Sequence, residues 1–135
     1  MRWAAVAISL SLAAIPAAGS AHHSVTAVYD REKAISLTGR LTRVEIVNPH
    51  SALEIEVPRP NGSTRVWKLE GSGPGGMQRV GADEKTLPVG ERVKVIGYPA
   101  RDGSPSAWMT RLETGDRVFD FSFRRGKGPK PVPAS

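Results

Sequence analysis

Apolar and polar side chains alternate along residues 35 to 57, and this alternation is the strongest constraint on the fold. Ile35, Leu37 and Leu41 alternate with polar residues, and the apolar positions then change parity to Val44 and Ile46. A period of two is typical of a strand with one buried face, and a change of parity within one strand requires a bulge or a sharp bend. The pattern therefore predicts a long first strand that bends strongly.

The later patterns predict four further strands, a short terminal strand and one short helix. In order they cover Leu53–Val57, Thr64–Glu70, the helix Pro74–Gly81, Val93–Gly97, Ala107–Glu113 and the alternating Phe119, Phe121 and Phe123. Three strands, a short helix and two more strands is the chain order of an OB-fold. We therefore predict an all-β chain, an OB-like β-barrel of five to six antiparallel strands with one short helix between strands 3 and 4. An open sandwich of the same strands is the alternative.

The N-terminus has the pattern of a secretory signal peptide. Arg2 precedes about a dozen apolar residues, Pro16 follows them, and small residues end at Ala21. This run is the length of a signal-peptide h-region and is shorter than the roughly 20 residues that span a bilayer. We expect cleavage after Ala21, with Ser20 or Gly19 as the next choices, and a periplasmic or secreted protein. A buried N-terminal helix is the alternative.

Composition divides the rest of the chain into three parts. We expect an N-terminal extension over residues 22–33, a barrel domain over 34–123, and a disordered basic tail over 124–135. The segment from residue 22 to 123 carries 14 basic and 13 acidic residues, a net charge of +1, and the chain has no cysteine. Basicity is thus a property of the tail, which can contact an anionic membrane surface weakly. No nucleic-acid partner is expected.

Three histidines are the candidate metal ligands. Cleavage after Ala21 would let His22 chelate a metal through its α-amine and its ring, with His50 as a third donor. Cleavage after Ser20 would make His23 the third residue, so that amine, backbone nitrogens and imidazole surround Cu(II) in a plane. Both arrangements suit Cu or Ni. The alternatives are two chance histidines at a frayed terminus, and a structural role for His50 in its turn.

Four further residues are candidates for a ligand-binding surface: Trp67, Glu70, Tyr98 and Trp108. Aromatic side chains on an OB-fold can stack against a ligand, although a tryptophan in a barrel commonly fills the core. The loop 71–76 satisfies a G-x-G-x-x-G pattern, but it lacks the parallel βαβ context of a dinucleotide site, and we expect a plain connection there.

Seven short motifs occur in order along the chain: His22-His23-Ser24, Tyr29-Asp30, Leu37-Thr38-Gly39, Asn48-Pro49-His50, Trp67-x-x-Glu70, Met77-x-Arg79-x-Gly81 and the run from Gly97 to Ser104. Their order resembles a family of uncharacterised secreted proteobacterial proteins, catalogued as a domain of unknown function. The resemblance covers residues 22 to about 121, and it implies an exported OB-like barrel without established activity or assigned catalytic residues. The chain departs from the family pattern at residues 51–53, where an aromatic run is expected, and at Ala82, where a tryptophan is common.

Together these features predict a non-catalytic binding or accessory protein for an unknown small ligand or envelope protein. The predicted binding surface lies between the first two strands and the helix. No set of nucleophile, base and orienting group is recognisable in the sequence, so we expect no enzyme. The alternative from a different functional class is a hydrolytic or redox enzyme.

Overall fold

The computed structural model describes residues 24–122 and the short strand Val132–Pro133, and its elements are almost all strands. One helical turn, α1, precedes the first strand, and a second short helix, α2, lies between strands 3 and 4. The elements are α1 (Val25–Val28), β1 (Ile35–Glu45), β2 (His50–Pro58), β3 (Thr64–Ser72), α2 (Pro74–Arg79), β4 (Arg92–Pro99), β5 (Ser106–Glu113), β6 (Val118–Asp120) and β7 (Val132–Pro133).

Five strands close into a barrel in the order β1-β2-β3-β5-β4-β1. The β3–β5 pairing is parallel and joins residues 68–70 to 106–108, whereas the β1–β2, β2–β3, β4–β5 and β1–β4 pairings are antiparallel. Strand β6 extends the sheet beside β5, and β7 runs parallel to the start of β1. This strand order confirms the predicted all-β, OB-like barrel.

The first strand bends where the sequence predicts it. The pairing of β1 with β2 shifts register between Leu41 and Arg43, which leaves Thr42 as the extra residue of a bulge, and the Thr42 hydroxyl donates to the Glu54 carbonyl at 3.1 Å. A Cβ at Gly39 would lie 2.4 Å from the Glu56 carbonyl oxygen. Only glycine therefore allows β2 to approach the bent strand so closely.

Inward-facing apolar side chains fill the barrel interior, and α2 closes one side of it. Met77 of α2 is fully buried, like Leu41 and Met109. The helix ends at Arg79, two residues before the predicted end, and Gly81 beyond it has a φ of +74°, which suits glycine after a helix terminus. Removal of this apolar surface from water is the main force that stabilises the closed sheet.

Residues 24–33, which we call the N-terminal arm, dock on the loop between β4 and β5. Tyr29 is 2% exposed and pairs with Ala100, the Asp30 amide donates to the Pro99 carbonyl, and the Arg101 amide donates to Val28. The Arg101 side chain also donates to the Thr26 carbonyl at 3.1 Å. The arm is thereby fixed across the end of β4.

Several predictions fall on residues outside the described ones. They include the signal peptide 1–21, His22, His23 and all of the basic tail except Val132–Pro133. In the part of the chain that is described, no helix is both long and apolar enough to cross a membrane.

Candidate functional site

A groove on the outer surface of the barrel brings two of the predicted binding residues together. Tyr98 of β4 and Trp108 of β5 are direct partners in the sheet, and both are half-buried. Directly opposed residues share one face of a sheet. We call the 260 Å³ cavity beside them the groove. Its lining residues are Val25, Arg31, Ser72, Tyr98, Trp108, Thr110, Phe121 and Ser122.

The N-terminal arm contributes the charged side of the groove. The Arg31 guanidinium carbon lies 5.8 Å from the centre of the Tyr98 ring, a distance at which cation and ring attract each other. Among residues 24–122, Arg31 forms no ion pair within 4 Å, while the neighbouring Asp30 is paired with Lys33 and Arg101. The groove therefore has an aromatic floor and a positive charge at its edge.

Two neighbouring aromatic rings and the close approach of β4 hold Trp108 in position. Its ring lies 6.1 Å from that of Tyr29 and 4.9 Å from that of His50, the latter edge to face. A Cβ at Gly97 would lie 2.4 Å from the Trp108 carbonyl oxygen, so β4 approaches β5 directly behind Trp108. These neighbours limit the rotation of the indole ring.

A polar cluster of His50, Glu70 and Tyr29 continues from Trp108 around the barrel. His50 Nδ1 lies 3.5 Å from Glu70 Oε2, and the two side chains are 34% and 45% exposed. The Tyr29 hydroxyl lies 3.4 Å from the Ser106 hydroxyl. Burial is the largest cause that raises the pKa of Tyr29, to about 12; the Ser106 contact lowers it, and the negative charge of Glu70 raises it.

The predicted surface residues thus divide between outside and inside. Glu70, Tyr98, Trp108 and His50 lie on one outer region, whereas Trp67 is 8% exposed and belongs to the barrel core. Trp67 faces inward because it shares the parity of Leu69, which is also buried. The groove-lining Val25 and Arg31 were missed by the sequence analysis, since no short-range pattern indicates where an arm docks.

The outer surface of β1 and β2, which we call the paired face, has a different character. Arg40 contacts Glu56 at 2.7 Å, and Arg43 contacts Glu45 at 2.6 Å and Glu54 at 3.6 Å. OB-folds commonly bind oligonucleotides on the face of strands 2 and 3. Here the outward carboxylates of β2, Glu54 and Glu56, are paired with arginines of β1, and Lys68 of β3 lies opposite Glu54, so this region carries charges of both signs.

The surface predicted between the first two strands and the helix carries a shallow depression of 340 Å³. It is lined by Ile46 and the exposed turn Asp83–Lys85. The Asp83 carboxylate accepts hydrogen bonds from the Thr86 and Lys85 amides at 2.7 and 2.8 Å, and the Thr86 bond is the main cause that lowers its pKa. This carboxylate stabilises its own turn.

The glycine-rich loop is short and packed against the chain. Strand β3 continues to Ser72, α2 begins at Pro74, and a Cβ at Gly73 would lie 2.5 Å from the Pro49 carbonyl oxygen. Pro49 follows a cis peptide bond from Asn48. Gly73 therefore serves the close packing of the β1–β2 loop on the start of the helix.

Within the described residues, three potential metal ligands do not lie close together. Over residues 24–122, no group of three or more His, Asp or Glu side chains is arranged to hold a metal ion. The histidine of the predicted set that is described, His50, has Glu70 as its ionisable neighbour. The other predicted ligands, His22 and His23, precede the described region.

Comparisons with known proteins identify a family and similar solved structures. No curated protein matches the chain. A mitochondrial single-stranded DNA-binding protein from S. cerevisiae, Rim1, is 15% identical with a TM-score of 0.47, over 65% of this chain and 95% of that one. The model of a family of unknown function, DUF6152, matches residues 8–109, and the chain belongs to that family.

Proposed function

We propose that this member of the DUF6152 family is an exported, non-catalytic binding protein whose small ligand occupies the groove. The observation that carries the proposal is the pair Tyr98 and Trp108, held half-buried on one outer face beneath the N-terminal arm. Ligand sites are usually concave, largely preformed and lined by aromatic side chains with a few polar groups. The groove has these properties.

Preorganisation supports binding at this place. Trp108 is held by Tyr29 and His50, and the arm that supplies Val25 and Arg31 is fixed by backbone hydrogen bonds to residues 99 and 101. A site that is already ordered loses little conformational entropy when the ligand enters. A ligand that covers clustered apolar surface at the groove gains more binding free energy than one that covers a single exposed residue such as Val66 or Val118.

Fluorescence of Trp108 tests the binding proposal. In the chain without residues 1–21, Trp67→Phe leaves Trp108 as the single tryptophan. Titration with benzoate and with benzyl alcohol should quench or shift its emission in a saturable way, at millimolar concentrations for compounds of this size. Tyr98→Ala should weaken the response, and Val118→Ala, on β6 outside the groove, should leave it unchanged. A linear response to both compounds would contradict the proposal.

Export is tested separately by the mass of the processed chain. Expression of the full sequence in a Gram-negative host, followed by periplasmic extraction, should yield a protein that begins at His22, or at Ala21 or Ser20 if cleavage follows Ser20 or Gly19. The basis is the Arg2, apolar and small-residue pattern of residues 1–21. Recovery of the intact chain from the cytoplasm alone would contradict export.

A second candidate function, binding of Cu or Ni through His22, His23 and His50, is favoured by the position of Val25 relative to His50. Val25 lines the groove beside Trp108 and Ser72; Trp108 contacts His50, and Ser72 is the sheet partner of His50. His22 is three residues from Val25, a span of at most about 10 Å. Val25 and His50 therefore share Trp108 and Ser72 as neighbours, and the short sequence distance from Val25 to His22 supports this candidate.

Copper titration tests the second candidate with variants that separate the donors. The processed chain with an authentic N-terminus should bind Cu(II), with nitrogen couplings in its paramagnetic resonance spectrum. His50→Ala should remove one nitrogen donor and weaken the affinity by about 10-fold or more, and His22→Ala should have a comparable effect if cleavage follows Ala21. Glu54→Gln on the paired face is the control. Equal spectra and affinities for all variants would exclude this site.

A further inference from the structure

We infer that the groove selects a small compound that joins one ring to an anionic group, a carboxylate or a phosphate. The inference rests on the proposed function, because it assigns a ligand class to the same groove. It goes beyond that proposal by giving each end of the ligand a partner: the ring against Tyr98 and Trp108, and the anion at Arg31.

The charge distribution around the groove favours an anion. Arg31 carries a guanidinium group, and among the described residues its close electrostatic contact is the Tyr98 ring rather than a carboxylate. By contrast, the arginines of the paired face, Arg40 and Arg43, have glutamate partners at 2.7 and 2.6 Å. Arg31 can therefore offer its donors to a ligand anion without breaking an ion pair.

Two carboxylates near the groove, those of Asp30 and Glu70, are directed toward other side chains. Asp30 contacts Lys33 at 3.2 Å and Arg101 at 3.7 Å. Glu70 faces His50 Nδ1 on the other side of Trp108. These two carboxylates have partners of their own, and Arg31 is the charged residue among the described residues that line the groove.

The dimensions of the groove limit the ring system. Its volume of 260 Å³ lies below the roughly 300–1,000 Å³ of sites for drug-sized ligands, so a single ring with one substituent fits. Tyr98 and Trp108 lie opposite each other on adjacent strands, about 5 Å apart at their Cβ atoms. A planar or sugar ring can contact both side chains at once.

The hydroxyl groups of the lining give the ligand an orientation. The Thr110 hydroxyl donates to the Ile96 carbonyl at 3.1 Å, so its oxygen is left to accept a hydrogen bond from a ligand. An acceptor at this position suits a neutral hydroxyl or amine on the ring and disfavours the anionic group. The anion is therefore directed to Arg31.

Four probes that separate ring from charge test this assignment on the processed Trp67→Phe protein. Benzoate and phenyl phosphate carry both features, benzyl alcohol carries the ring alone, and inorganic phosphate carries the charge alone. We expect Trp108 fluorescence to report binding of the first two about 10-fold more tightly than benzyl alcohol, and no saturable response to inorganic phosphate. Benzoate and phenyl phosphate together cover both sources of the negative charge.

Two arginine variants then locate the charge. Arg31→Gln should reduce the affinity for the two anionic probes to that for benzyl alcohol, and it should leave the affinity for benzyl alcohol unchanged. Arg59→Gln, in the exposed β2–β3 turn, should change neither affinity. Equal affinity of the wild-type protein for benzoate and benzyl alcohol, or an unchanged preference in Arg31→Gln, would overturn the inference and leave the proposed function standing. Absence of any saturable response to the three ring compounds would overturn both.

Discussion

The barrel interior and the groove are built from similar side chains but expose them differently. In the interior, Leu41, Met109 and Trp67 belong to one core cluster at 8% exposure or less. At the groove, Tyr98 and Trp108 are half-buried, and the charged Arg31 lies beside them. Burial of interior side chains stabilises the fold, whereas the fold gains much less from a half-buried aromatic pair.

Because the two regions differ in burial, substitutions can change stability and ligand binding separately. A substitution inside the barrel should lower the free energy of unfolding and leave ligand affinity intact in the folded protein. A substitution at Arg31 should do the reverse. Substitutions at points where the two regions touch should change both quantities.

The largest expected effect is that of Leu41→Ala. Leu41 is fully buried at the bend of β1, and removal of such a side chain costs about 2–5 kcal/mol through lost transfer energy and a residual cavity. Urea unfolding followed by circular dichroism measures the loss. Val66→Ala, 45% exposed on β3, should change stability by less than about 0.5 kcal/mol.

The same Leu41→Ala protein, assayed below its unfolding temperature, tests whether the interior and the groove are independent. Its Trp108 response to benzoate should match that of the wild-type protein, because Leu41 does not line the groove. A folded Leu41→Ala protein that no longer binds benzoate would show that interior and groove are coupled.

A second, smaller effect is expected where the two regions touch, at Gly97. A Cβ there would lie 2.4 Å from the Trp108 carbonyl oxygen and 3.3 Å from the Met109 Cα, so Gly97→Ala must push β4 and β5 apart. We expect a loss of roughly 1–3 kcal/mol in unfolding free energy together with weaker benzoate binding. Gly75→Ala, where a Cβ meets nothing within 4 Å, is the matched control. Wild-type values of both quantities in Gly97→Ala would contradict the close packing behind Trp108.

A third substitution, Ser51→Ala, should increase stability and should act on the barrel interior alone. The Ser51 hydroxyl is fully buried and has no hydrogen-bond partner among the described residues. A buried hydroxyl without a partner is destabilising, so Ser51→Ala should raise the free energy of unfolding by about 1 kcal/mol. Ser36→Ala, half-buried on β1, should have a smaller effect. A clear destabilisation by Ser51→Ala would indicate that the hydroxyl does find a partner.

The sequence predicted the interior well because burial leaves a periodic trace. The parity change from Leu41 to Val44 located the bulge, and the helix containing Met77 was expected between strands 3 and 4. The same periodicity also distinguishes Trp67 from Glu70, since residues an odd number of positions apart on a strand face opposite sides. Trp67 shares a face with Leu69 and therefore belongs to the core.

The groove could be predicted only in part, because it depends on contacts between distant segments. Tyr98 and Trp108 were identified as aromatic strand residues, but their direct pairing depends on the β4–β5 register, which shifts between Ile96 and Gly97. The parallel β3–β5 pairing and the docking of the arm that carries Arg31 have no local sequence signal. The proximity of His50 and Glu70 likewise depends on the β2–β3 register.

The smallest effect at neutral pH, and the most specific one, is that of Tyr29→Phe. Tyr29 anchors the arm beside Trp108. Its hydroxyl contact with Ser106 is long, at 3.4 Å, so loss of the hydroxyl should cost less than about 1 kcal/mol at pH 7. The pKa of this phenol is raised to about 12 in the folded protein, against about 10 in an unfolded chain.

This difference gives a pH dependence of definite sign. The folded state favours the neutral phenol, so the contribution of Tyr29 to stability is complete below pH 10 and is lost as the pH rises through 10 to 12. Wild-type protein should therefore lose more unfolding free energy over that interval than Tyr29→Phe does, with Tyr98→Phe as the matched tyrosine control. Parallel decline of wild type and Tyr29→Phe would mean that water reaches the Tyr29 hydroxyl in solution. The arm would then be open, and the groove would lack the side that Val25 and Arg31 provide.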